Sequence, residues 1–253
     1  TLFRSGLLMA SPMASSDVTI LVDNLKSIPY VQLTIDMMHK FGVDVENFNN
    51  SEFRIKAPQQ YMPCKYNVEG DWSGAAFLLV AGAIAGEVEV TNLNPRSLQA
   101  DREIINALMW CGAYVSIREN SIFVKKESLT GFDFDSTHCP DLFPPLVALA
   151  SHCKGESKIL GVSRLKVKES DRAATLMEEF SKLGINIKVQ DDLMIIQGGS
   201  PQSAKVQSHG DHRIAMACAV AALNGNCAVE IDGAEAVSKS YPGFFEDLKK
   251  ISK

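Results

Sequence analysis

The chain has 253 residues, 46% hydrophobic and 22% charged, with Lys+Arg 25 against Asp+Glu 30 and a formal net charge of −5. These proportions describe a globular chain able to bury a large core, as one large domain or two smaller ones. They exclude disorder, collagen and coiled coil, argue against a basic nucleic-acid footprint, and leave no apolar run of the roughly 18 residues a membrane span needs.

Thr1-Leu2-Phe3-Arg4-Ser5 opens the sequence without an initiating Met and equals the in-frame translation of a common sequencing-adapter tail, so these five residues are expected to be an artefact. The apolar stretch Gly6–Ala10 is too short for a secretory signal. Six cysteines (64, 111, 139, 153, 218 and 227) form no Cys-x-x-Cys pair, and His138-Cys139 and His152-Cys153 match no familiar zinc spacing. Buried free thiols, no metal and a cytoplasmic setting are expected.

Self-similarity organises the rest, with a period near 70 residues. In chain order, the first copy predicts a helix stopping at Phe41-Gly42 and a hairpin over Val45–Ile55 turning near Asn49-Asn50. The second opens a helix at Asp71 that runs to Ile84, followed by a strand over Glu87–Thr91. A further helix stops at Cys111-Gly112, and a hairpin follows over Val115–Val124. The third opens at Asp141, with a strand over Lys158–Leu160, a helix stop at Leu183-Gly184 and a hairpin through Asp191-Asp192. The fourth opens at Asp211, with a strand over Ala228–Ile231 and a last helix from Tyr241 to Ile251, but no hairpin. Glycine just past a helix is the expected stop, and Asp at a helix start caps free backbone N–H groups. The copies divide as 1–68, 69–138, 139–208 and 209–253. The last is incomplete, so the sequence is expected to be part of something longer.

Two charged groups stand out. In Lys168-Glu169-Ser170-Asp171-Arg172, Lys168 and Arg172 are four apart and are expected on one helical face, with Glu169 beside them. Asp211-His212-Arg213 places an arginine at the head of an apolar helix. Cations sit badly at a helix N-terminus unless an anion binds there, which makes both groups candidates for phosphate recognition. The alternatives are a solvated, salt-bridged helix start and an exposed arginine. With Lys239 before Tyr241-Pro242, these signals place Asp141, Lys168, Glu169, Arg172, Arg213 and Lys239 at equivalent helix ends, where repeats could converge them on one anion.

Leu165–Arg172 resembles the Arg-Val-Lys-Glu-Ser/Thr-Asp-Arg signature of the EPSP synthase (3-phosphoshikimate 1-carboxyvinyltransferase) family. Gly70–Ala75, Pro140-Asp141, Asp211–Met216 and Lys239–Phe245 also resemble its motifs, in family order from about Gly6 to the end. The resemblance implies an α/β fold of repeated βαβαββ units of about 70 residues forming two lobes. Here it would be truncated: residues 1–68 are the last unit of the first lobe, and 69–253 are two units and a partial third of the second. Roughly the first two-fifths of a family member is missing.

The resemblance also implies the reaction. The 5-hydroxyl of shikimate 3-phosphate attacks C2 of phosphoenolpyruvate, C3 gains a proton, and the adduct loses phosphate. Asp141 would take the hydroxyl proton and Glu169 would deliver one to C3. Arg172, Arg213 and Lys239 would hold phosphoenolpyruvate, while Ser27, Tyr30 and Lys168 would contact shikimate 3-phosphate. Asp71 would be a structural cap, and Arg164, where some members have asparagine, receives no role. No cofactor, metal, nucleic acid or membrane partner is implied, and the full-length enzyme is expected to be a monomer. The present chain alone is expected to be inactive. Competing readings are UDP-N-acetylglucosamine enolpyruvyl transferase, RNA 3′-phosphate cyclase and a non-catalytic anion-binding fragment.

Overall fold

A computed structural model describes residues 2–166, 168–223 and 227–251. Thr1, within the adapter-like stretch, and Val167, within the Lys168 signature, lie outside the described residues. The chain divides into two compact units, one of residues 1–68 with 98–100 and the other of 69–97 with 101–253.

In the first unit, α1 (Leu2–Ala10) packs on α2 (Ile28–Lys40). A three-stranded antiparallel sheet joins β1 (Val18–Leu21), β2 (Glu46–Phe48) and β3 (Glu52–Ile55) in the order β1-β3-β2. Val31, Ile35 and Met38 recur at helical spacing on α2 and meet Leu8, Phe53 and Ile55 in the core. The helix stops where Gly42 takes φ 81°, its N–H donating to His39 O while the Val43 N–H donates to Met38 O. The β2–β3 hairpin turns through Asn49 and Asn50 at φ 52° and 58°, a geometry asparagine tolerates.

The second unit is built on three buried helices, α3 (Trp72–Ala85), α5 (Phe143–Ala150) and α7 (His212–Ala221), which pack against one another. Their sequences are apolar on every side, as a helix enclosed by its neighbours requires. The strands that follow them are β4 (Glu87–Thr91), β8 (Glu156–Leu160) and β12 (Val229–Asp232). Gly82 lets α3 turn tightly onto β4: a Cβ there would lie 2.4 Å from Val88 Cγ1.

Helix α4 (Ile104–Trp110) leads to β5 (Tyr114–Ile117) and β6 (Ser121–Lys125), which form the sheet β4-β6-β5. Val88 pairs with Val124 and Val90 with Ile122, so alternation places one apolar face inward. The next repeat has a leading strand, β7 (Asp133–Asp135), followed by α5, β8, α6 (Arg172–Lys182), β9 (Asn186–Gln190) and β10 (Leu193–Gln197). This is the βαβαββ order, in a sheet β7-β8-β10-β9 whose first pair is parallel and the rest antiparallel. β11 (Ala204–Gln207) and β12 flank α7 as a second parallel βαβ pair, and α8 (Phe244–Ile251) closes the described chain. Among the described residues, no helix is long and apolar enough to cross a membrane.

Three local expectations are corrected. Helix α6 begins at Arg172, because Asp171 caps it by accepting from the Ala174 N–H at 3.2 Å. Lys168 and Glu169 therefore lie in the loop ahead of the helix and share no helical face with Arg172. Helix α8 begins at Phe244 rather than Tyr241; Tyr241-Pro242-Gly243 makes a turn in which the Phe244 N–H donates to Tyr241 O. Asp141 is not an N-cap, since a 3-10 turn over Pro140–Leu142 leads into α5 and carries its side chain elsewhere.

Candidate functional site

The three aspartates spaced 70 residues apart do different work. Asp71 accepts from the Ser73 and Gly74 N–H groups and caps α3. Asp211, fully buried, accepts from the Arg213 N–H at 3.0 Å and caps α7. Asp141, released from capping, turns toward three cations. Its Oδ1 accepts from Lys168 Nζ at 3.0 Å and Arg172 Nη1 at 2.7 Å, and its Oδ2 lies 3.6 Å from Arg213 Nη2.

Arg172 is the hub. It is fully buried at the first position of α6, and its guanidinium reaches three carboxylates. Nε donates to Asp211 Oδ2, Nη1 to Asp141 Oδ1 and Nη2 to Glu169 Oε2, each at 2.7 Å. A planar fork of donors suits this role, and the carboxylates offset the cost of burying the charge. Glu169 Oε1 also lies 3.4 Å from Nζ of the exposed Lys239, at the end of a 3-10 turn over Ala234–Lys239.

Six predicted residues, Asp141, Lys168, Glu169, Arg172, Arg213 and Lys239, are thus joined in one network. Ser27 and Tyr30 belong to the first unit: Ser27, buried, precedes α2 with φ 54°, and Tyr30 lies in that helix's first turn, its N–H donating to Ser27 O.

The electrostatics follow from the geometry. Burial works against ionisation of Asp141, but Arg213, Lys168 and Arg172 override it and hold the carboxyl far below the usual range. Asp211 is lowered despite its burial, through its bonds to Arg172. Glu169 is also lowered: burial opposes this, and Arg172 and, more weakly, Lys239 favour the anion. A carboxyl held ionised by two cations becomes easier to protonate when either cation is drawn away.

One buried carboxyl escaped the sequence reading. Asp101 is 2% exposed, accepts a hydrogen bond from Ser73 Oγ, and is pushed up to about 6 by burial, with Asp141 adding repulsion and Arg213 opposing it. Its surroundings in sequence, Asp101-Arg102-Glu103, read as a solvated charge run, so nothing marked it as interior. The second role of Asp211, holding Arg172, was equally hidden behind its capping position.

Of the His-Cys pairs, His152 Nε2 bonds to Ala221 O at 2.9 Å and the buried Cys139 Sγ lies 3.9 Å from Ser136 Oγ. Glu178, Glu179 and His209 come together, but Lys182 Nζ and His209 Nε2 already occupy the buried Glu179 carboxylate.

Comparison with known proteins bears on this arrangement. The sequence profile of the family described as EPSP synthase (3-phosphoshikimate 1-carboxyvinyltransferase) matches residues 1–248. A curated relative of that name from Clostridium acetobutylicum is 42% identical over 251 residues, covering 98% of this chain and 58% of its own. Another from Brachyspira hyodysenteriae is 40% identical over 253 residues, covering 98% and 60%. The chain therefore spans about three-fifths of the length of the curated relatives it matches.

Among solved structures, EPSP synthase from Acinetobacter baumannii superposes with a TM-score of 0.82 at 25% identity, over 98% of this chain and 59% of its own. The enolpyruvyl transferase NikO from Streptomyces tendae shares the fold, with a TM-score of 0.75 at 19% identity over 96% and 57%. On the profile match across nearly its whole length, the chain belongs to the EPSP synthase (3-phosphoshikimate 1-carboxyvinyltransferase) family.

Proposed function

We propose that the protein to which this chain belongs transfers the enolpyruvyl group of phosphoenolpyruvate to the 5-hydroxyl of shikimate 3-phosphate and releases phosphate. The observation that carries the reading is the convergence of Lys168, Arg172 and Arg213 on Asp141, with Lys239 against Glu169. Four cations against three carboxylates, Asp141, Glu169 and the buried Asp211, suit anionic substrates and a proton-transfer reaction.

Asp141, held ionised by its cations, takes the proton of the attacking 5-hydroxyl as oxygen bonds to C2 of phosphoenolpyruvate. Glu169 delivers a proton to C3. It must first acquire one, and the phosphate and carboxylate of phosphoenolpyruvate provide the means by drawing Arg172 and Lys239 away from it. Loss of a C3 proton and expulsion of phosphate from C2 then leave the enolpyruvyl ether. Arg172, Arg213 and Lys239 hold phosphoenolpyruvate and take the charge that develops on the departing phosphate. Lys168 is assigned to shikimate 3-phosphate. A cytoplasmic, monomeric full-length enzyme goes with this reading.

The test is phosphate release from the two substrates, by this chain alone and by the chain joined to the N-terminal two-fifths of the Clostridium acetobutylicum relative. Turnover is expected from the joined chain and not from the shorter one. Asp141→Ala in the joined chain should lower turnover by about 10²–10⁴-fold, the usual worth of a general base. A folded joined chain that binds neither substrate would overturn the assignment.

A further inference from the structure

Glu179 is fully buried two turns beyond Arg172 on the enclosed face of α6, where Thr175 and Leu176 are buried too. Every partner of its carboxylate among the described residues is a donor. Lys182 Nζ donates to Oε1 and Oε2 at 2.8 and 2.9 Å, the Gln207 N–H to Oε2 at 2.9 Å, and His209 Nε2 to Oε1 at 2.7 Å. Burial works against the anion, but Lys182, His209 and the Gln207 N–H outweigh it and hold the carboxyl below its usual range. An ionised carboxylate only accepts, so the His209 ring carries a proton on Nε2.

Gln207 ends β11, and residues 208–211 form the turn that enters α7. Within it the Asp211 N–H donates to Ser208 O, and the Ser208 N–H donates to Asp232 O on β12, each at 2.9 Å. His209 stands in this turn at φ 53°, a left-handed conformation uncommon for a residue with a side chain, and its ring is tied to Glu179. Two residues later Asp211 binds Arg172, back on α6. The entry to α7 is therefore joined to α6 at two levels, about 10 Å apart along the helix axis at 1.5 Å per residue. One bonded pair fixes a distance but lets the turn pivot, whereas two separated pairs also fix its direction.

We propose that Glu179 and His209 are positioning residues for the cation cluster: their bond fixes the turn over residues 208–211, so that Asp211 keeps its hold on Arg172. Neither residue touches Asp141, Glu169 or their cations directly; they act through Asp211. The requirement is for an acceptor at 179 and a donor at 209. Lys182 shares the Glu179 carboxylate but belongs to α6 itself, so its bonds add nothing to the link with α7. The consequence for phosphoenolpyruvate rests on the function proposed above.

The experiment follows hydrogen exchange at the assigned Arg172 Nε–H resonance of the isotopically labelled whole chain by NMR. His209→Ala should speed that exchange about tenfold, the size expected for losing one hydrogen bond to a charged group. His209→Gln, whose amide can donate to Glu179, should restore the parent rate. Lys182→Met removes a donor from the same carboxylate and should leave the rate unchanged. Parent-like exchange in His209→Ala overturns the proposal. Equal acceleration in Lys182→Met also overturns it, because Glu179 would then only support α6. His209→Phe keeps a ring without a donor and asks the same question if the alanine variant does not fold. In the joined chain, His209→Ala should raise KM for phosphoenolpyruvate about tenfold, with recovery in His209→Gln. A parent-like KM removes the link to the reaction. A joined parent without turnover would instead strike the proposed function, and the exchange rates decide the positioning role in either case.

Discussion

Arg172 Nε donates to Asp211 Oδ2 at 2.7 Å, between side chains 1% and 0% exposed, and so ties the start of α6 to the start of α7. Both residues have a second duty: Asp211 caps α7, and Arg172 presents its remaining N–H groups to Asp141 and Glu169. The orientation of the cation cluster thus depends on a carboxylate that solvent does not reach. Replacing Asp211 with Ala leaves a buried guanidinium short of one of its three carboxylate partners and a helix without its cap. Urea unfolding should show a loss of about 3–5 kcal/mol, the cost of breaking a buried pair. A change under 1 kcal/mol would mean that Asp141 and Glu169 alone suffice to hold Arg172.

Asp71 and Asp141 occupy matching places in successive repeats, yet their substitutions should differ in kind. Asp71→Ala removes bonds to two backbone N–H groups and should cost about 0.5–2 kcal/mol of stability. Asp141→Asn removes no cap, but it frees Lys168, Arg172 and Arg213 from a competing anion. Inorganic phosphate, measured by calorimetry, should bind the Asp141→Asn chain more tightly than the parent. Equal or weaker binding would show that these cations are not available to an external anion.

Asp101 gives stability an unusual pH slope. Its folded pKa, about 6, lies above the model-compound value of 3.8, so between these values the folded chain keeps a proton that the unfolded chain has lost. Raising the pH through that window therefore removes stability, by at most about 3 kcal/mol at 1.36 kcal/mol per unit. Asp141, Asp71 and Arg213 face the same carboxyl and set the size of the effect. Asp101→Asn should flatten this part of the profile in urea melts taken from pH 4 to 6. A variant that keeps the parent slope would place the titrating group elsewhere.

Glu169 has the opposite sign. Its pKa is depressed, so its contribution is present above the unfolded value and is lost as pH falls through the folded one. On the proposed function, phosphoenolpyruvate drawing Arg172 or Lys239 away would raise Glu169, and binding should then bring proton uptake. Calorimetry in buffers of different ionisation enthalpy should detect this uptake, and Glu169→Gln should reduce it. Identical uptake in parent and variant would assign the proton to another group.

Gly82 is a packing prediction independent of chemistry. A Cβ at 2.4 Å from Val88 Cγ1 and 3.1 Å from Val88 N forces α3 away from β4. Gly82→Ala should therefore destabilise by about 1–3 kcal/mol, despite the higher helix propensity of alanine. Stability equal to or above the parent would show that the helix–strand junction can relax.

Local signals were legible wherever one residue's backbone preference settled the matter. Gly42, Gly112 and Gly184 end their helices at φ 81°, 91° and 78°, and Asn49, Asn50 and Asp191 turn their hairpins at positive φ. The buried helices α3, α5 and α7 could be read because their composition has no polar face. The stretch from Lys168 to Arg172 was misread as one helical face because two signals competed. Charge spacing suggested a continuous helix, whereas Asp171 captures the Ala174 N–H and starts the helix one residue later.

The sequence by itself determined the repeat, its element order and the residue types around the site, since periodicity, glycine stops and motif spacing are properties of neighbours along the chain. Only the tertiary structure decided which aspartate caps and which binds cations. Asp71, Asp141 and Asp211 have equivalent positions in the repeat, but a 3-10 turn at Pro140–Leu142 frees Asp141 from its helix, and the packing of α5 against α6 and α7 brings Arg172 within reach. The burial of Asp101 was decided there too, because enclosure depends on what packs above a residue, not on the charged residues that follow it.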